Sequence, residues 1–115
     1  MTGNDIYLIV SSLLGFSEGL SDARNDITLR ERMLVSINRI GADLCDMPSL
    51  KSLNDSIDLS SAFCEALPYG VAMLISLTDG DSEKNSIFTS LYNSKRAAAK
   101  VSSTVVDDVL PKAVF

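Results

Sequence analysis

The feature that most constrains this chain is a helical period in its apolar residues, repeated over four stretches and strongest from Glu65 to Lys100. Apolar side chains three and four positions apart share one face of a helix, whereas strands would place them at every second position. The first stretch carries Ile6, Ile9, Val10, Leu13 and Leu14, with Asn4 or Asp5 as its cap and Gly15 and Gly19 at its end. The second opens on a Thr28-x-x-Glu31 capping signature and buries Met33, Leu34, Ile37, Ile40, Gly41 and Leu44 before Pro48 stops it. A Ser- and Asp-rich connection follows, where Ile57 and Leu59 alternate with Asp58 as in a short extended piece. Ser60 or Ser61 then caps a third helix, the most hydrophobic and hence the central one. Pro68 falls about two turns into it and predicts a kink or a restart.

The stretch Asp79-Gly80-Asp81-Ser82 is a turn, with Asp81 or Ser82 capping a fourth helix whose buried stripe is read as Ile87, Phe88, Leu91 and Tyr92. Lys95, Arg96 and Lys100 sit toward its C-terminal end, where the helix dipole favours positive charge. The predicted class is all-α: a small bundle of about four helices over residues 1–100, with an extended docking arm over 101–115. The arm is expected because its β-branched residues disfavour helix and Pro111 interrupts one. Its expected anchors on a partner are Val105, Val109, Leu110, Val114 and Phe115. The predicted core gathers Ile37, Leu44, Leu67, Val71, Leu74, Ile75, Ile87 and Leu91.

Chemistry is hard to place on this chain. Its 115 residues contain no histidine, which removes a Ser-His-Asp triad and any Cys/His zinc site. Cys45 and Cys64 stand in no close-spaced motif and read as reduced, packed thiols, with a disulfide between them as the alternative. Asp79, Asp81 and Glu83 imitate part of a calcium loop, but the position of its bidentate glutamate is Ser90, so turn and cap roles are expected instead. The glycines form no phosphate-binding pattern. No catalytic residue, cofactor or metal is expected, and the chain is not read as an enzyme. A net charge of −5 makes it a poor clamp for DNA, since that affinity comes from neutralising phosphates. The first apolar run is short, with Asn4 and Asp5 ahead of it, so neither a secretory signal nor a membrane span is expected there.

Residues 56–100 resemble the C-terminal half of the tailed-phage head-to-tail adaptor proteins, the connector proteins beneath the portal. The matching features are Ile57 and Leu59, then Ala66-Leu67-Pro68, Gly70 and Ala72, the acidic turn Asp79-Gly80-Asp81, and Tyr92, Lys95 and Arg96. The earlier helices fit the same pattern loosely. The resemblance implies a helical bundle assembled as a dodecameric ring in the virion neck, built in the host cytoplasm. Its partners would be the portal protein and tail or nozzle proteins, with DNA sliding through and no membrane contact. Side-to-side contacts between copies are expected from Arg30, Arg32 and Arg39 on one copy against Asp43, Asp55 or Asp58 on the next. A different class, a stand-alone helical protein-binding or regulatory module of phage or bacterial origin, fits the same composition.

Overall fold

The computed structural model describes residues 1–15 and 27–113, with side chains described for 1–15 and 28–101. Its helices are α1 (Gly3–Leu13), α2 (Ile27–Cys45), α3 (Ser61–Thr78) and α4 (Ser82–Ala113). Among the described residues the fold is all-α, a four-helix bundle in which α3 packs against each of the other three. α3 is long and apolar enough, at a mean hydropathy of 1.3 over 18 residues, to cross a membrane. Here it is the central helix, with Ala66, Leu67, Val71, Ala72 and Ile75 buried beneath its neighbours.

The first helix begins at least two residues earlier than expected. Thr2, rather than Asn4 or Asp5, is its N-cap, and Asp5 completes a capping box by accepting from the Thr2 backbone N–H at 2.8 Å. Two further N–H groups of its open first turn find acceptors in the distant connection: Gly3 donates to the Asp55 carbonyl and Asn4 to the Leu53 carbonyl. Ile57 in turn donates to the Met1 carbonyl at 2.7 Å, and Thr2 and Ser56 form an isolated antiparallel bridge. The extended piece expected at Ile57–Leu59 is thus reduced to a pairing of Ser56 and Ile57 with the N-terminal residues, with no strand among the described residues.

The connection between α2 and α3 holds more core than a polar loop would. Met47, Leu50, Leu53 and Ile57 are all buried. The Asn38 side chain brackets Leu50, donating to its carbonyl at 3.0 Å and accepting from its N–H at 2.7 Å. Asp55 accepts from the N–H groups of Lys51 and Ser52, which folds the Ser-rich stretch into a turn. For α2, Thr28 lies inside the helix, which already includes Ile27, so Thr28 is not the cap expected of it.

α3 neither stops nor restarts at Pro68, which is buried inside a continuous helix. Proline removes a single backbone donor there. Two residues later, Gly70 sits where α2, α3 and α4 converge. A Cβ at this position would lie 2.6 Å from Ile40 Cγ2 and 2.8 Å from Tyr92 Cε1. Past Thr78, Gly80 takes φ +75°, a left-handed turn, and Asp81 caps α4 by accepting from the Lys84 N–H.

Two expectations about α4 are corrected. Its backbone stays helical from Ser82 to Ala113, so the extended arm predicted for 101–115 is helix through 113, with no break at residue 100. β-Branched residues cost a helix only a few tenths of a kcal/mol each, and a helix already propagating through Arg96–Lys100 absorbs that. Pro111 falls in the last turn, where just one backbone bond is lost. Val114 and Phe115 lie outside the described residues, as do the side chains of Val105, Val109 and Leu110.

The second correction concerns the packed face of α4. Phe88, Tyr92 and Ala99 are buried, whereas Ile87 is 53% and Leu91 39% exposed. The apolar stripe is wider than the contact α4 makes, and its outer edge is left in water. The rest of the predicted core is buried, apart from Leu74, which is half-buried.

These positions differ measurably. Ile75→Ala should cost about 2–5 kcal/mol in a urea titration, the usual range for a fully buried aliphatic side chain, and Leu74→Ala clearly less. Gly70→Ala should lower the melting temperature. Overpacking costs about 1–3 kcal/mol, and the helix-propensity gain of about 1 kcal/mol for alanine over glycine offsets only part of it. A rise in melting temperature for Gly70→Ala would show that the junction has slack.

Candidate functional site

The charged residues expected at subunit contacts are mostly spent inside the chain. Arg30 donates to Asn4 Oδ1 at 3.0 Å and lies over the Tyr7 ring. Arg32 Nη2 donates to Thr78 Oγ1 at 2.6 Å and to Asp79 Oδ1 at 2.8 Å, tying α2 to the end of α3. Asp55 shapes its own turn. Arg39 and Asp58 are exposed and have no side-chain polar partner among the described residues. The five do not gather into one site.

Asp43 belongs to a clamp that the sequence did not reveal. Tyr92 Oη donates to its Oδ2 at 2.6 Å and Arg96 Nε donates to the same oxygen at 2.9 Å. The Tyr92 hydrogen bond, helped by the Arg96 charge, holds the Asp43 carboxyl below its ordinary value of 3.8 against the opposing effect of burial. Burial and the adjacent Asp43 carboxylate push the Tyr92 phenol well above its ordinary value of 10.0. The clamp joins α2 to α4 across the Gly70 junction and is structural.

The signs follow from linkage. Asp43 is easier to ionise in the fold, so its contribution is present above the ordinary carboxylate value of 3.8 and is lost as pH falls through its lowered folded value. Tyr92 is harder to ionise in the fold, so its contribution holds below 10.0 and is lost as pH rises beyond that. Thermal melts should therefore weaken at both ends, and Asp43→Asn should flatten both the acid and the alkaline limb. Limbs unchanged in that variant would place the titration elsewhere.

The remaining chemical candidates resolve into structure. Asp79 pairs with Arg32, and Asp81 caps α4. Cys45 and Cys64 are free thiols, and burial pushes Cys45 up, away from thiolate reactivity. Among the described residues no group of three or more Cys, Asp or Glu side chains is placed to hold a metal ion. Ser11 Oγ is a buried hydroxyl without a hydrogen-bond partner among the described residues.

What the surface offers instead is exposed apolar area. Between α2 and the C-terminal half of α3 runs an open groove lined by Val35, Leu74 and Leu77, with Arg32, Arg39 and Thr28 along its edges. Val35 is 57% and Leu77 61% exposed, although both belong to helices with ample core elsewhere. A separate depression is lined by Ile9 and Leu13 of α1, Pro68 and Tyr69 of α3, and Lys95 of α4, whose ammonium stands over the Tyr69 ring. The two share no residue. At about 100° per residue, their linings on α3 point to different sides of that helix. A third face is the outer edge of α4, with Ile87, Leu91 and the exposed Val101.

Sequence reasoning missed these faces because it assigned Ile87 and Leu91 to the core and left Val35 unassigned. The signal available was width: the apolar positions of α3 and α4 occupy more of each helix than one contact can cover. Compared with protein-family models, with curated proteins and with solved structures, the chain matches none.

Proposed function

We propose that this chain is a non-catalytic structural adaptor of a tailed-phage head-to-tail connector. Copies of it form a ring seated beneath the portal, joining capsid to tail while DNA passes through. The observation that carries the reading is the separation of the exposed apolar faces. A ring contact is heterologous: a patch on one copy meets a different patch on the next, so each subunit needs two distinct surfaces. The α2–α3 groove and the outer edge of α4 supply such a pair, and the depression at Ile9 and Tyr69 leaves a third face for the portal or a tail protein. The likeness of residues 56–100 to connector adaptors supports the same reading. So does the net charge of −5, which suits a channel wall that DNA must slide past.

The deciding experiment is co-sedimentation with portal-bearing capsids, scored for copies bound per particle. Multiple copies per portal vertex are expected, together with weak duplex-DNA affinity that vanishes at moderate salt. A chain that remains monomeric and in the supernatant overturns the adaptor reading.

A further inference from the structure

We infer that the contact between neighbouring copies is made by the outer face of α4 from one copy seated in the α2–α3 groove of the next. This rests on the ring reading above and names the surfaces that build it. Helices pack by laying a ridge of residues spaced four apart into the groove of a partner. Glu83, Ile87 and Leu91 are such a ridge, exposed along its whole length. The groove offers Val35 and Leu77 as its exposed apolar floor. Ser90 and Ser94, beside the ridge, are small and exposed and let the backbones approach.

Direction follows from the fold. Arg32 of α2 meets the chain just before α4 begins, and Asp43, farther along α2, meets Tyr92 and Arg96 farther along α4. The two helices therefore run the same way within a copy. Neighbours in a many-membered ring differ by a small rotation, so α4 of one copy also runs parallel to α2 of the next. In that alignment Leu91 lies against Val35 and Leu74, and Ile87 lies one turn back against Leu77 and the Arg32 stem. Glu83 comes one turn before that, at the Arg32 guanidinium.

Charge agrees with the placement. Arg32 spends only Nη2 on Thr78 and Asp79, leaving its Nε and Nη1 without partners among the described residues. Guanidinium has five N–H donors, and a second carboxylate can accept from the free ones. Glu83 is exposed and has no side-chain partner among the described residues. The groove's Arg32 and Arg39 outnumber its lone Glu31 in a chain that is otherwise acidic.

The test is disulfide trapping in a Cys45→Ser, Cys64→Ser background. Val35→Cys and Leu91→Cys proteins are mixed, assembled on portal-bearing capsids or concentrated alone, and oxidised. A crosslinked pair is expected from the mixture and not from either protein by itself. Leu91→Glu, at an exposed position, should leave the melting profile unchanged and prevent the crosslinking between Leu77→Cys and Ile87→Cys proteins that the alignment predicts in its absence.

Crosslinks of 35 to 35 or 91 to 91 in equal yield, or none in an assembled sample, overturn the contact. If copies collect on the portal without the 35–91 crosslink, the contact falls and the adaptor reading survives. If the crosslink forms in concentrated protein that ignores the portal, the contact stands and the adaptor reading falls. If neither is seen, both fall.

Discussion

The bundle depends on an absent atom. Gly70 has no Cβ, and that absence lets Ile40 of α2 and the Tyr92 ring of α4 close on the same point of α3. Everything around the junction follows from the closeness it permits. Tyr92 lies flat enough against α3 for its hydroxyl to reach Asp43, and Arg96, one turn later, completes the pair. A larger residue at position 70 would separate the helices and break that hydrogen bond with the same displacement. Packing and polar geometry are coupled here, because interiors are too dense for one to yield without the other.

α4 is consequently a helix with two occupations. Its inner face, through Phe88, Tyr92 and Ala99, belongs to the bundle. Its outer face carries Ile87, Leu91 and Val101 into water. A single exposed leucine on a protein surface needs no explanation, whereas a helical row of apolar residues is the kind of surface that the proposed ring contact would use. The helix is also far longer than the body it packs on: 32 residues span about 48 Å, within a molecule whose longest dimension is 58 Å.

Much of this was legible in the sequence. The period of Met33, Ile37, Ile40 and Leu44 marked the buried face of α2, and Leu67, Val71 and Ile75 marked that of α3, because deep burial on one side leaves a regular repeat. The turn at Gly80 and the cap at Asp81 followed from backbone chemistry. Ile87 and Leu91 misled because period reports which residues are apolar, not which neighbour covers them. The arm at 101–115 misled because propensity is local, whereas a helix already under way carries weak formers with it. The Asp43–Tyr92–Arg96 clamp joins residues about fifty positions apart and has no local signature at all.

The pairing of the first residues with the α2–α3 connection has a consequence in time. Met1, Thr2, Gly3 and Asn4 find their backbone partners at Leu53, Asp55, Ser56 and Ile57. Residues 1–4 are thus secured late relative to their own synthesis, since their partners are synthesised only after α2 is complete. Until then α1 is a short amphipathic helix with Ile6, Tyr7 and Val10 uncovered, too short to persist alone. That uncovered interval ends when the stretch around Ile57 arrives to hold α1 in place.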